Sequence, residues 1–164
     1  METTFAALPA VPAAIQKASW RDLIAVRQLE DICFPKDSWP LLDIIGVLTL
    51  PNVVRLKAIA NDQMVGFVAG DYRRGKNISW IATIGVLPEY RGRGIGKALL
   101  RECEARLNTV QVRLCVRRSN RLAIELYERS DYRQVGIWHG YYQDGEDALV
   151  FEKQRAGGTR RDLL

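Results

Sequence analysis

Histidine is almost missing from this chain: His139 is the only one among 164 residues, which excludes a His-rich metal centre. Cysteine is scarce and odd in number, with Cys33, Cys103 and Cys115 at no metal-type spacing, so no metal is expected and a reduced, cytoplasmic setting is. No apolar run approaches the ~20 residues of a membrane-spanning helix. The opening METTFAALPAVPAAIQ lacks a basic start, and Pro9 and Pro12 break its apolar part, so it reads as a flexible extension over 1–13 and not as a signal peptide. No internal repeat and no second domain are visible. The length fits one folded domain, taken as 14–153. The polar, Gly-rich RAGGTRRDLL closes a tail, 154–164, expected to be disordered.

What the chain has instead is a concentrated positive charge. Nine basic residues fall between Arg91 and Arg121, against only Glu102 and Glu104, giving that stretch +7 while the remainder sums to −2. Inside it, Gly92, Gly94 and Gly96 alternate in RGRGIGK, directly before the helical pattern IGKALLRECEARL. Glycines let the backbone turn tightly and expose consecutive N–H groups. A helix beginning at Ile95 or Gly96 adds unpaired amides and the positive end of its dipole. Together these make a cradle for a phosphate or pyrophosphate. A nucleic-acid role for the basic stretch finds no aromatic-interleaved stripe or zinc module to support it.

In chain order, 14–18 predict a first strand, and Ser19 caps an amphipathic helix with Leu23, Val26, Leu29 and Cys33 at helical spacing. Pro35 ends that helix, and Pro40 opens a second short one through about Leu48. Strands follow at 53–60, 64–74 and 78–88, joined by turns at Asn61-Asp62 and Gly75-Lys76-Asn77. Gly85 within the third of these suggests a bulge or a close backbone approach. After the glycine loop and its helix, VQVRLCV (110–116) alternates strictly, with Gln111, Arg113 and Cys115 on one face. Ser119-Asn120 caps a short helix carrying Tyr127, and a hairpin around Gln143-Asp144-Gly145 closes the chain. The expected fold class is α/β (α+β), a single mixed, mainly antiparallel sheet of about seven strands with helices on both faces.

The ligand of the loop is narrowed by spacing. A P-loop needs a Gly five residues before the Gly-Lys pair and a Ser or Thr after it, but Arg91 and Ala98 stand there. The dinucleotide pattern GxGxxG wants its third glycine where Lys97 stands, and no parallel βαβ unit surrounds it. Arg91-x-x-Gly94-x-Gly96, after a long apolar strand stopped by Pro88 and before a helix, resembles the acetyl-CoA loop of the GNAT superfamily of N-acetyltransferases. The resemblance covers roughly residues 14–153. It implies a V-shaped splay between the fourth and fifth strands, with acetyl-CoA as cofactor. Ile84, Gly85 and Val86 would pair with the pantetheine arm, and Arg91, Gly92, Arg93, Gly94, Ile95, Gly96 and Lys97 would hold the pyrophosphate. Ser119-Asn120, Ala123 and Leu126-Tyr127, together with Cys33-Phe34-Pro35 and Tyr141-Tyr142 before Glu146-Asp147-Ala148, resemble the RimI-like branch. That branch acetylates protein N-terminal α-amines, so the implied partner is an acceptor amine on a protein N-terminus, with the enzyme a monomer or homodimer.

On this resemblance Tyr127 is the general acid to the CoA sulfur, and Asn120 both caps its helix and touches the cofactor. Phe34, Tyr141 and Tyr142 are candidates for gripping the substrate. The general base stays open: the family carries Glu where this chain has Cys115, whose thiol is a plausible but unusual proton acceptor, and Asp37, Glu30 or a water relay are the alternatives. His139 is expected to be structural, and Trp20, Trp39, Trp80 and Trp138 to line the core or the cleft. Two other readings remain. One is a small-molecule amine acetyltransferase, favoured by acids near the cleft loops (Asp37, Asp43, Asp144, Glu146, Asp147). The other is a CoA-binding module without turnover, motivated by Cys115.

Overall fold

The computed structural model describes residues 12–73 and 77–156. The chain opens with β1 (Ala14–Lys17), then a 3-10 turn at Trp20–Asp22, α1 (Leu23–Cys33) and α2 (Leu41–Thr49). The strands β2 (Val53–Ala60), β3 (Gln63–Arg73) and β4 (Ile78–Val86) follow, then α3 (Ile95–Leu107), β5 (Gln111–Arg117), α4 (Arg121–Glu128), β6 (Arg133–Trp138) and β7 (Ala148–Gln154). The Ser19 amide donates to the Asp22 carboxylate at 2.8 Å, so the helix expected from Ser19 enters through a tight turn before becoming regular at Leu23. Asn61 and Asp62 both have positive φ, +50° and +59°, as a two-residue hairpin turn between twisted strands requires. Asp131, at φ +67°, takes the left-handed conformation that a helix-ending glycine would supply. Most of 1–13 and of the tail lies outside the described residues. β7 nevertheless runs to Gln154, and the Arg155 amide bonds the Val110 carbonyl at 2.7 Å, so the fold extends past residue 153.

The seven strands form one sheet in the order β1-β2-β3-β4-β5-β7-β6. Every neighbouring pair is antiparallel except β4 and β5, which run parallel. Helix α3 packs on one face through Leu99, Leu100, Cys103 and Leu107, and α1 and α2 cover the other through Val26, Leu29, Ile44 and Leu48. This is the expected mixed sheet with helices on both faces.

Two departures from regularity shape the centre. Ala69 and Gly70 of β3 stand opposite Thr83 and Ile81, so Ala82 is an extra residue in β4. Gly70 and its partner Ile81 face α3, where a Cβ on Gly70 would meet Leu107 and Cys103. Plain alternation would turn Thr83 to that same face; the bulge turns it toward α1 instead. The parallel pairing of β4 with β5 runs only from Ile78–Ile81 against Gln111–Leu114 and stops at this bulge. From Ala82 and Cys115 onward the strands splay, while β5 stays paired to β7 as far as Arg117.

Of the two readings that its place in the strand suggests, Gly85 is not the bulge but a point of close approach, here by the side chains of α1. It lies three residues beyond the extra residue, where α1 presses on β4: a Cβ there would come within 3.1 Å of Leu29 Cδ2 and 3.2 Å of Cys33 Sγ. We expect Gly85→Ala to destabilise the fold by about 1–3 kcal/mol through overpacking. Urea unfolding measures it, and an unchanged midpoint would mean that α1 can yield at this point.

Candidate active site

The splay opens a cavity of about 410 Å³. Its walls come from both arms of the V (Ala82, Thr83 and Ile84 of β4; Cys115, Val116 and Arg117 of β5), from α1 and its connector to α2, from α4, and from the β6–β7 hairpin. The cavity brings together Phe34, Asp37, Cys115, Asn120, Tyr127, Tyr141 and Tyr142, candidates contributed by four separate segments of the sequence. The glycine loop lies outside this cavity. Gly92 and Gly94 have φ of +72° and +82°, with nothing within 4 Å of where a Cβ would stand. Gly94 is the residue before α3, and among the described residues no acceptor is supplied to the amides of residues 92–97. Gly96 is already helical; its missing side chain lets Leu126 of α4 approach to 3.4 Å of the Cβ position. The Arg91 guanidinium folds back and donates from Nε to the Val86 carbonyl at 2.9 Å, and Arg93 lies over the Tyr90 ring.

Tyr127 is buried, with its ring against Tyr132 and Phe151. Burial, and secondarily the neighbouring Tyr142, push its hydroxyl well above the usual tyrosine range, so it holds its proton at neutral pH. Asn120 caps α4 by accepting from the Ala123 amide at 3.2 Å while lining the cavity. Cys115 is half-buried on the cavity face of β5, and burial pushes its thiol up to about 11. At neutral pH it is a thiol and a poor proton acceptor.

Asp37 is committed elsewhere. Arg117, at the end of β5, donates from Nε and Nη2 to both Asp37 oxygens at 2.5 and 2.7 Å. Its Nη1 reaches Asp144 at 3.0 Å and Glu146 at 2.6 Å, and its guanidinium carbon lies 4.0 Å from the centre of the Tyr142 ring. One side chain thus ties the α1–α2 connector to the β6–β7 hairpin across the mouth of the cavity. Sequence reasoning counted Arg117 only as part of a basic stretch; nothing in its neighbours marks it, because all three carboxylates come from distant segments.

Aromatic residues continue the wall. Trp80 stacks on Trp138 at 5.7 Å, Trp138 meets Tyr141 at 5.3 Å, and Tyr141 meets Tyr142 edge-on at 5.2 Å. Trp39 lines the cavity too, whereas Trp20 is 67% exposed and belongs to neither core nor cleft. His139 is exposed outside the cavity, with Nδ1 3.3 Å from Asp147. Glu30, weighed from the sequence only as an alternative base, is a fully buried carboxylate in the cavity wall.

The Arg117 knot has a pH signature. The Arg117 hydrogen bond lowers the pKa of Asp144, and Ser119 followed by Arg117 lowers that of Glu146. Lowered carboxylates contribute stability above their ordinary values near ~4, and lose it as pH falls through the folded-state values. Arg117→Met is therefore expected to lower Tm by roughly 2–6 °C at pH 7. The gap should close as the buffer is taken below the ordinary carboxylate range. Thermal melts of both proteins from pH 3 to 7 measure it; a constant gap would assign the loss to packing alone.

A family model described as the acetyltransferase (GNAT) family matches residues 23–132. An uncharacterised N-acetyltransferase of Methanocaldococcus jannaschii is 36% identical over 146 residues, covering 86% of this chain and 91% of the relative. The N-alpha-acetyltransferase RimI of Mycobacterium tuberculosis is 35% identical over 121 residues, covering 71% of this chain and 76% of the relative. Among solved structures, the ribosomal-protein-S18-alanine N-acetyltransferase of Escherichia coli superimposes with a TM-score of 0.80 at 23% identity, over 93% of this chain and 100% of that one. Arabidopsis thaliana NAA60 in complex with acetyl-CoA gives 0.76 at 25% identity, over 87% and 98%. The splayed fourth and fifth strands, the glycine loop at the head of α3 and a family match over two thirds of the sequence have one reading: the chain belongs to the GNAT acetyltransferase family and is an N-acetyltransferase.

Proposed function

We propose that this enzyme transfers an acetyl group from acetyl-CoA directly to the N-terminal α-amine of a protein or peptide. The observation that carries the reading is the cavity at the β4–β5 splay, which joins Tyr127 and Asn120 on one side to an aromatic acceptor wall on the other. The amides of residues 92–97 and the head of α3 suit a pyrophosphate. The free inner edge of β4 from Ala82 to Val86 suits an extended arm that hydrogen-bonds as a strand would. NAA60, a protein of the same fold, holds acetyl-CoA.

In this mechanism the edge of β4 and the glycine loop fix the donor, and Tyr127 protonates the departing thiolate. That assignment suits a phenol kept protonated by burial. Phe34, Tyr141 and Tyr142 bound the acceptor's path. The charge pattern supports a peptide over a polyamine. Asp37, Asp144 and Glu146 are neutralised by Arg117, Asp147 is held by the Gly140 amide and faces His139 and Arg118, and Asp43 lies on α2 outside the cavity. These five acids are engaged or lie outside the cavity, which leaves Glu30 and Asp71 as the other carboxylates of its wall. The relative RimI is named an N-alpha-acetyltransferase, which supports the same class of acceptor.

Purified enzyme given acetyl-CoA with peptides bearing free N-termini, lysine peptides and polyamines is expected to add 42 Da, the ~42 Da of one acetyl, to peptide N-termini, read by mass spectrometry. Exclusive modification of a polyamine would overturn the acceptor class. Tyr127→Phe is expected to lower turnover by ~10²–10⁴-fold, measured by thiol release at saturating substrates. A rate close to wild type would remove Tyr127 from the chemistry.

A further inference from the structure

Glu30 occupies a place that the apolar stripe of α1 should give to a hydrophobic residue. With Val26 and Leu29 it forms the buried face of the helix, and it is 1% exposed. Glutamate is almost never fully buried unless paired. Among the described residues no cation is its partner: Thr83 Oγ1 donates to Glu30 Oε1 at 2.7 Å, and the Trp39 backbone amide faces the carboxylate. Oε2 is buried without a hydrogen-bond partner among the described residues. Glu30 and Thr83 line the same cavity as Cys115 and Tyr127. A purely structural side chain at this position would be cheaper as leucine or glutamine.

We propose that Glu30, held by Thr83, is the general base that takes the proton from the acceptor ammonium, in place of the carboxylate that β5 lacks at Cys115. The proposal rests on the acetyltransferase reading above. The acceptor ammonium gives one proton to the Glu30 carboxylate, directly or across the Thr83 hydroxyl, which passes its own proton on as it receives one. The freed lone pair forms the N–C bond at the thioester carbonyl, and the C–S bond breaks. Tyr127 gives its proton to the thiolate and is restored by the remaining excess proton on nitrogen. Glu30 releases its proton to solvent, leaving amide and thiol.

The surroundings suit the task. Desolvation is the largest influence on Glu30 and raises its pKa; Thr83 and the Trp39 amide pull it down, and Asp31 raises it further. The charged or titratable groups around it are Asp31 and Cys33 on its own helix and Asp37 on the connector. Asp71 and Arg73 come from β3, Cys115 and Arg117 from β5, Tyr127 from α4, and Tyr141 and Tyr142 from the hairpin. Both cations are engaged: Arg117 by its three carboxylates, Arg73 over the Trp80 ring. A carboxylate whose pKa is raised by burial is a stronger proton acceptor than an exposed one.

The test compares wild type, Glu30→Gln, and Glu30→Gln combined with Cys115→Glu. Each is read for acetyl-CoA affinity by calorimetry, for Tm, and for kcat/KM on an N-terminal peptide from pH 5.5 to 9. The expected result for Glu30→Gln is unchanged acetyl-CoA affinity, a Tm equal to or above wild type, and a ~10²–10⁴-fold loss of kcat/KM at pH 6.5. Its acid limb should move up to the acceptor's own α-amine pKa, ~7.7–8.0, because only pre-formed neutral amine would react. The added glutamate at 115 should recover at least part of the loss and return the limb toward lower pH. A Glu30→Gln enzyme within threefold of wild type, or one with an unmoved limb, overturns the proposal. So does a loss of rate accompanied by a fall in Tm and in acetyl-CoA affinity, which would make Glu30 a staple between α1 and β4. If wild type binds acetyl-CoA but acetylates no amine on offer, the acetyltransfer reading itself fails, and the base falls with it.

Discussion

The parting of β4 from β5 after Ile81 and Leu114 is the constraint on which the rest of the site depends. A parallel pair in the middle of a sheet is ordinarily buried on both faces with its ladder complete. Here a single extra residue, Ala82, coincides with the end of that ladder. It leaves one edge of β4 without a strand partner among the described residues and coincides with the cavity in the sheet centre. It also shifts the strand's alternation, so that Thr83 faces α1 and meets Glu30. One inserted residue therefore accompanies both the open edge of β4 and the donor that fixes a buried carboxylate.

The charge of the chain is organised around the same gap. The basic stretch from Arg91 to Arg121 divides into two populations once folded. Arg106 pairs with Glu102, Arg113 with Glu152, Arg118 with Asp147, and Arg117 with three carboxylates. Those are internal or local ion pairs, and only Arg117 among them is well screened from solvent, so only it is expected to hold structure strongly. Arg91, Arg93, Lys97, Arg101 and Arg121 make no ion pair among the described residues and lie in or after the glycine loop and at the start of α4. The positive field is thus concentrated where helix N-termini already favour an anion.

The parts of this design that were legible in the sequence are the local ones. Gly92 and Gly94 announce a left-handed turn because few other residues tolerate it, Pro88 stops a strand, and Asn120 caps a helix within three residues of its own position. Alternation in β5 correctly placed Gln111, Arg113 and Cys115 on one face and Val112, Leu114 and Val116 on the other, which is the buried one. The parts that were not legible depend on register between distant strands. Gly85 suggested irregularity in β4 without revealing that the extra residue is Ala82. Arg117 could not be told from its basic neighbours, because Asp37 is 80 residues away and Asp144 and Glu146 are 27 and 29. Asp37 accordingly looked available as a base, although it is the anchor of the connector. Glu30 was named only as an alternative base beside Asp37, because nothing local showed that it lies on the buried stripe of its helix.

The same register explains why Cys115 and Glu30 fit together. The cavity faces of α1 and β5 look at each other across the acceptor space, and a second buried carboxylate at 115 would share that low-dielectric volume with Glu30. Two carboxylates in such a space cannot both ionise without a large penalty, so one of them would be held protonated and the other's basicity would depend on it. A thiol pushed up by burial stays protonated near neutral pH and adds no further carboxylate to the wall that it shares with Glu30. On the proposal that Glu30 is the base, the thiol at 115 spares it a competing carboxylate on the facing strand.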